Sequence, residues 1–187
     1  MIDITIAICT VTERVDNFLP KIVTKLHTQA LLYPNVEILY IGDNKKRPTG
    51  TKRNDLANIA QGKFIAYVDD DDDVSEDYVG FLSSAAKDDD DCICFRARYY
   101  ENSKFRGIVD YSIAYEKDTN KKGLYERLPN HTTAIRTELI RKLKFKDIYI
   151  GEDSDLAKRL RPYLEKEAYV NAILYHYYYN TKTTLTK

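Results

Sequence analysis

The sequence predicts a single α/β domain over residues 1–187, with a mostly parallel sheet flanked by helices and a mixed C-terminal part. Up to residue 87, short β-branched and aromatic runs alternate with stretches of helical periodicity, which is typical of repeated strand–helix units. Beyond residue 90 the strand-like runs follow one another across short polar turns. A chain of 187 residues is long enough to bury one sizeable core.

The first part is expected to form parallel strands, because a helix follows each strand and returns the chain across the sheet. Pro20 is compatible with a helix only near its start, and Gly62 marks the end of the second helix. A basic loop is expected at residues 45–50, and Ser75 is the expected N-cap of the third helix. The predicted strands are residues 2–9, 36–41 and 64–68, and the predicted helices are 15–32, 51–60 and 75–87.

The second part is expected to be rich in strands and in tyrosine. Pro162 interrupts the last predicted helix near its end, and this helix begins just after Gly151. The predicted strands are residues 92–100, 106–116, 132–136 and 168–179, with a polar loop at 117–123 and a short helix at 137–143.

The composition excludes several classes of protein. Lys plus Arg and Asp plus Glu both total 29, so a globally basic nucleic-acid binder is not indicated. The three cysteines, Cys9, Cys92 and Cys94, fit neither a disulfide framework nor a zinc site, and we predict buried thiols in a reducing compartment. No apolar run has the length of a membrane span, so the predicted location is cytoplasmic.

Five consecutive aspartates, residues 69–73, directly follow the buried strand predicted at 64–68. Ligands of open α/β sheets bind at the carboxyl ends of strands, where these carboxylates emerge. Their mutual repulsion is relieved by a cation, and carboxylate oxygens suit Mg²⁺ or Mn²⁺. A second acidic run, residues 88–91, follows a helix instead, and we interpret it as a solvated loop.

Several short stretches, taken in order, resemble the family-2 glycosyltransferases with the GT-A fold. The resemblance covers most of the chain, although the N-terminal turn lacks the family's usual proline and asparagine. The matching positions are residues 4–14, Asp43, Lys52, Arg53, Asn54, Ala60, Gly62, Phe64, Asp69, Asp71, Asp72, Asp77, Tyr78, Gly151, Glu152, Asp153, Asp155, Arg159, Tyr175, His176, Tyr177 and Asn180.

The resemblance implies transfer of a sugar from a nucleoside-diphosphate sugar, most simply a UDP-sugar, to a hydroxyl of a glycan or another acceptor, with inversion. It implies Mn²⁺ or Mg²⁺ as cofactor, a nucleotide-sugar half at residues 1–100 and an acceptor and catalytic half at 101–187. Asp153 is the expected general base, assisted by Glu152, while Asn130 and His131 are expected on the acceptor side. Sugar-donor contacts are expected from Thr10, Glu13, Arg14, Asp43, Lys52, Arg53, Asn54, Asp69 and Asp70, and metal contacts from Asp71, Asp69 and His176.

Other interpretations remain open at this stage. Glu152, Asp153 and Asp155 could merely cap a helix, and His176 could pack among tyrosines. A haloacid-dehalogenase-type phosphatase would use Asp70 as nucleophile, although its motif normally lies on the first strand. A non-catalytic nucleotide-sugar-binding module is a further possibility. A virus-encoded enzyme that glycosylates hydroxymethylated DNA bases would use the basic clusters at 45–47 and 141–146 on phosphates.

Overall fold

Ten strands form one continuous sheet in a computed structural model that describes residues 1–181. The strands are β1 (Ile4–Val11), β2 (Val36–Asp43), β3 (Phe64–Asp69), β4 (Asp73–Val74), β5 (Cys92–Glu101), β6 (Lys104–Tyr111), β7 (Thr119–Lys121), β8 (Leu124–Arg127), β9 (Ala134–Arg136) and β10 (Glu167–Tyr179). The helices are α1 (Leu19–Ala30), α2 (Thr49–Ile59), α3 (Tyr78–Ala85), α4 (Thr137–Leu143) and α5 (Glu152–Leu160). Helical 3₁₀ turns occur at Thr12–Arg14 and Arg161–Tyr163.

The predicted parallel sheet is confirmed for the first three strands, because β1 pairs in parallel with both β2 and β3. The alternation of side chains along each strand builds a core on both faces of the sheet. Ile6 and Ala66 face α1 and α3, while Ala7 and Tyr67 face α2, α4 and α5. The near-continuous apolar character of these strands follows from this two-sided burial.

The second half of the sheet is mixed, as expected for the C-terminal part. Strand β9 pairs antiparallel with both β3 and β5, and so joins the two halves in the order β2-β1-β3-β9-β5-β6-β8-β7. The last strand, β10, pairs in parallel with β5 and antiparallel with β4. The polar loop predicted at 117–123 is wrong in part, because β7 forms a hairpin with β8 there.

Local chemistry shifts several element ends. Helix α1 begins at Leu19 rather than residue 15, because Pro20 occupies its first turn and residues 15–18 form turns that follow the 3₁₀ turn at Thr12–Arg14. Helix α2 begins at Thr49, so the loop predicted at 45–50 is shorter than expected. No helix within residues 1–181 combines the length and the apolar character that crossing a membrane requires.

The prediction that Ser75 caps α3 is wrong. The helix begins at Tyr78, and the Ser75 backbone N–H donates instead to the Leu174 carbonyl at 2.9 Å. Asp73 and Val74 pair with β10. This pairing, with a strand distant in sequence, keeps the segment before Ser75 extended, although its local propensity favours a helix start.

The cysteines are free and buried, as predicted. Cys92 and Cys94 lie on one face of β5 with their sulfurs 3.6 Å apart, and the Glu167 carboxylate completes a cluster within 4.8 Å. Its oxygens accept hydrogen bonds from Ser112 Oγ at 2.6 Å and from the Ile113 N–H at 3.0 Å. These bonds tie the carboxylate to the segment after β6, which gives the cluster a packing role.

Candidate active site

The carboxyl ends of β1 and β3 and the first turn of α5 open into one cleft of about 640 Å³. Residues far apart in the sequence meet here because parallel strands release their loops at the same edge of a sheet. The tyrosines of β5, β6, β8 and β10 form the opposite side of the cleft. Its polar lining includes Thr10, Arg14, Lys52, Arg53, Asp69, Asp70, Asp71, Asn130, His131, Glu152 and Asp153.

Arg53 connects the five aspartates at residues 69–73, which we call the aspartate loop, to α5. Its Nη2 donates to Asp69 Oδ1 at 2.8 Å and its Nη1 donates to Glu152 Oε1 at 2.9 Å, while the side chain is almost fully buried. Burial raises the pKa of Asp69, but Arg53 and His131 together outweigh burial and hold that pKa well below its usual range. The pKa of Glu152 stays raised, because burial exceeds the attraction of Arg53.

Replacing Arg53 with methionine is expected to destabilise the domain by about 3–5 kcal/mol, because it leaves the Asp69 and Glu152 carboxylates near each other without their shared cation. The midpoint of urea unfolding, followed by circular dichroism, measures this effect. Arg47→Met is the matched control, since Arg47 pairs with Asp43 and Asp55 at the surface, and a much smaller shift is expected there. Equal shifts would contradict a linking role for Arg53.

The Asp70 carboxylate is turned toward Thr10 of β1 and Arg14, and not toward a position where it could attack a substrate. Its two oxygens accept hydrogen bonds from Thr10 Oγ1 at 2.6 Å and Arg14 Nη1 at 2.7 Å, and it is buried. An aspartyl nucleophile needs an oxygen directed at its substrate. The motif also ends the third strand of the chain rather than the first, so this geometry disfavours the phosphatase interpretation.

Asp71 lies beside these residues with Oδ2 at 3.0 Å from Arg14 Nη2. Burial, together with repulsion from Asp69 and Asp70, raises the pKa of Asp71 to about 6 despite the attraction of Arg14. The aspartate loop therefore carries more negative charge than its internal partners balance, which is the electrostatic condition for a cation site.

Asp72, which matches the resemblance pattern, points into the sheet. Its oxygens accept hydrogen bonds from the Tyr175 hydroxyl at 2.8 Å and the Tyr178 N–H at 2.7 Å. Burial and the neighbouring Asp69 raise the pKa of Asp72 well above its usual range. The carboxyl group thus fastens the loop to β10.

Lys52 and Asp43 form a further charged pair, at the ends of β1 and β2. Buried Lys52 Nζ donates to the Thr10 carbonyl at 2.9 Å and to Asp43 Oδ1 at 3.2 Å. Burial raises the pKa of Asp43, but the hydrogen bonds from Lys52, Lys45 and Arg47 together lower it. Asp43 ends β2 opposite Val11 of β1, so it adjoins the cleft entrance.

Asp153 faces the same cleft from the first turn of α5. Gly151 turns the chain into this helix with φ of 82°, a conformation that favours glycine. Asp153 Oδ1 accepts the Ser154 N–H at 2.7 Å, while Oδ2 lies 3.7 Å from His131 Nδ1. The other imidazole nitrogen, Nε2, lies 3.5 Å from Asp69 Oδ2. His131 therefore stands between the aspartate loop and Asp153.

Comparisons with known proteins agree on the architecture. No family model matches the chain. A curated glycosyltransferase of Streptococcus pneumoniae serotype 4, GlyA, is 24% identical over an alignment 217 positions long, which covers 95% of this chain and 31% of GlyA. Residues 1–349 of S. aureus TarS, crystallised with UDP-GlcNAc, superpose with a TM-score of 0.65 at 12% identity, covering 95% of this chain and 58% of that one. The chain has a GT-A glycosyltransferase fold.

A second solved structure with this fold is GalNAc-T7 with UDP, GalNAc and Mn²⁺, at a TM-score of 0.56 and 12% identity. That match covers 96% of this chain and 44% of GalNAc-T7. The chain thus spans about a third of GlyA and well under two thirds of either solved chain.

Apart from Asp43, which borders the cleft without lining it, three residues expected at the site lie outside the GT-A cleft. Glu13 is exposed and pairs with Lys45 at 2.5 Å. Asn54 exchanges two hydrogen bonds of 2.9 Å with the Phe145 backbone, so its amide anchors the segment before α5. His176 lies opposite Asp73 on β4 and Arg98 on β5, and alternation along β10 directs it to the face opposite that of Tyr175, away from Asp69 and Asp71. None of the three is placed to contact a sugar donor or metal in the cleft.

The cleft also contains residues that sequence reasoning did not assign to the site, chiefly Tyr99, Tyr111, Tyr125 and Arg127. The abundance of tyrosine, 16 residues, and its recurrence on the later strands were the available signals. Their convergence depends on the pairing of β5 with β10 and of β6 with β8, which is non-local and leaves no local sequence pattern.

Proposed function

We propose that this domain transfers a sugar from a UDP-sugar to an acceptor hydroxyl, with a divalent metal and with inversion at the anomeric carbon. One observation carries the proposal: Arg53 joins Asp69 to Glu152, so the aspartate loop and the start of α5 share one cleft with Asp153. The sugar donor would contact residues 1–100, and the acceptor would contact residues 101–187.

The sugar-donor side is assigned to the end of β1 and to α2. Thr10, Arg14, Lys52 and the largely buried Arg53 line the cleft there. Basic side chains stabilise the negative charge that develops on a departing diphosphate. TarS was crystallised with UDP-GlcNAc in a domain of the same fold, which favours a UDP-sugar as the first candidate.

The atoms available to bind a metal are the carboxylate oxygens of Asp69 and Asp71. Both residues belong to the aspartate loop, which carries excess negative charge. Such hard oxygens suit Mn²⁺ or Mg²⁺, so this set fits the ion that the fold implies. A bound ion would supply Lewis-acid stabilisation of the diphosphate leaving group. Mn²⁺ accompanies UDP in the GalNAc-T7 structure.

Asp153 is the proposed general base. Its side chain is one-third exposed, and it lines the cleft from α5, whereas Arg14 and Lys52 come from the turn after β1 and from α2. A carboxylate here would accept the acceptor hydroxyl proton as that oxygen attacks the anomeric carbon. Attack from the face opposite the leaving diphosphate inverts the configuration.

A screen of nucleotide sugars tests the proposal. With Mn²⁺ present, UDP and one or more UDP-sugars are expected to raise the melting temperature, because they bind only the folded chain. The purified chain should then release UDP from the stabilising UDP-sugar in the presence of a glycan acceptor. Failure of every nucleotide sugar to bind would refute the function. Preference for GDP-sugars would refute only the choice of uridine.

Asp43→Ala is expected to raise the KM for the UDP-sugar by about 10-fold or more and to leave kcat nearly unchanged, because it removes a charged hydrogen-bond acceptor for the base N–H. Initial rates at varied UDP-sugar concentration measure this effect. Asp55→Asn is the control, since Asp55 shares Arg47 with Asp43 but lies on α2 away from the cleft. A pure kcat effect at Asp43 would argue against contact with the nucleotide.

A further inference from the structure

Three tyrosines form a continuous aromatic surface on one side of the cleft, which we call the tyrosine wall: Tyr99 of β5, Tyr125 of β8 and Tyr177 of β10. The Tyr99 and Tyr177 rings stack with centroids 5.5 Å apart at 24°, and Tyr125 meets Tyr99 edge to face at 5.6 Å. Tyr177 remains 38% exposed despite this stacking. The contacts fix the ring directions and leave aromatic surface open to the cleft.

The tyrosine wall adjoins the acidic end of the cleft. Burial raises the pKa of Tyr177, and the charges of Asp72 and Asp69 raise it further. Tyr111 lines the cleft together with Asp153 and the tyrosines of the wall. Burial raises the pKa of Tyr111 to about 12, and the charge of Asp153 contributes to this rise. A molecule lying on the wall would thus have one end near the proposed base.

The outer edge of the wall is polar and belongs to the hairpin of β7 and β8. Arg127 packs over the Tyr125 ring at 5.5 Å, and it donates to Asn120 Oδ1 at 2.7 Å and to the Thr119 carbonyl at 2.9 Å. Asp118 accepts the Leu128 N–H at 3.0 Å and also lines the cleft. The hairpin therefore places a carboxylate and an amide beside the aromatic surface.

We propose that the tyrosine wall is the acceptor subsite and binds a carbohydrate ring stacked against it. This inference rests on the proposed glycosyl transfer. Aromatic rings pack against the apolar C–H face of a sugar, while Asp118 and Asn120 at the edge hydrogen-bond to its hydroxyls. A half-open aromatic surface with a few fixed polar groups is the chemistry that neutral, hydroxyl-rich ligands require.

A nucleic-acid acceptor fits these surroundings less well, because phosphates need available cations. Arg127 and Lys121 of the hairpin are engaged with the hairpin itself. In the two basic clusters named above, Arg47 and Lys146 pair with aspartates. Arg141 donates to the Ala57 and Ala60 carbonyls. These five side chains thus serve internal contacts.

The test measures acceptor binding separately from sugar-donor binding. Saturation-transfer NMR with methyl hexosides and common disaccharides identifies a glycan probe, and its KM is then measured in the transfer assay. Tyr125→Leu and Tyr177→Leu are expected to raise that KM about 3- to 10-fold, while Tyr125→Phe retains the wild-type value. The thermal shift produced by UDP and Mn²⁺ should be equal in all variants, which also shows that they fold.

Tyr169→Leu is the matched control, because Tyr169 lies on β10 with 40% exposure but outside the cleft lining. It should leave the acceptor KM unchanged. If UDP-sugars bind but no glycan probe binds, or if the wall variants keep the wild-type KM, the subsite is wrong. Transfer to DNA carrying 5-hydroxymethylcytosine, with none to glycans, would also overturn it. Absence of any UDP-sugar binding would instead refute the proposed function.

Discussion

Replacing Asp153 with asparagine is expected to lower kcat by about 10²- to 10⁴-fold, because asparagine cannot accept the proton of the acceptor hydroxyl. The substitution preserves size, and its amide oxygen can still accept the Ser154 N–H that Asp153 binds at 2.7 Å. Affinity for the UDP-sugar should be nearly unchanged, since Asp153 approaches the site from α5 rather than from the end of β1. Steady-state rates and UDP titration by calorimetry provide the two measurements.

Asp155→Asn is the matched control for charge at the start of α5. Asp155 lies in the same first turn, but it pairs with Lys146 and Arg159 on the outer side of the helix. Its loss should affect stability more than turnover. Near-normal turnover in Asp153→Asn would show that Asp153 is not the general base and is only a carboxylate at the start of α5. Loss of turnover with binding retained would instead exclude a non-catalytic binding module.

The stereochemistry of the product tests the same assignment independently. Direct attack by the activated hydroxyl requires the opposite anomeric configuration from that of the UDP-sugar, which NMR of the anomeric proton reports. Glu152→Gln is expected to reduce turnover less than Asp153→Asn, because glutamine still offers an oxygen to Arg53, the partner that Glu152 binds at 2.9 Å. Retention of configuration would contradict a direct, single-step attack in which Asp153 acts as the general base.

The sequence was sufficient to predict those features of the fold that depend on residues close together in the chain. The buried run before Asp69 and the glycine before Glu152 have strong short-range signatures, and both lie as expected at the cleft. Residue types alone could not settle the direction of side chains on paired strands. His176 and Tyr177 are neighbours in the chain, yet the cleft lining includes Tyr177 and Tyr178 but not His176.

Non-local pairing explains the other differences. The segment around Ser75 has the composition of a helix start, but the antiparallel pairing of Val74 with Tyr175 holds it in the sheet. Asn54 was expected to contact the sugar donor, yet the Phe145 backbone engages both ends of its amide. Such partners are distant in sequence, so no local pattern identifies them.

Removal of divalent metal is expected to abolish transfer, and Mn²⁺ should restore it. Asp71→Ala should lower kcat/KM by about 10²- to 10³-fold, because the developing charge on the diphosphate loses its Lewis-acid partner. Asp89→Ala is the control, since Asp89 belongs to the second acidic run and pairs with Lys166 at the surface. Rates before and after chelation measure the activity.

A binding measurement separates loss of metal from loss of fold. UDP with Mn²⁺ should raise the melting temperature of the wild type and of Asp89→Ala more than UDP alone, whereas in Asp71→Ala the increment due to Mn²⁺ should vanish. Equal rate losses in Asp71→Ala and Asp89→Ala would show that the aspartate loop has no specific role in transfer. Full transfer activity in the presence of chelator would contradict a metal requirement. The positive charge of Arg14, which lies 3.0 Å from Asp71, would then be sufficient to stabilise the diphosphate.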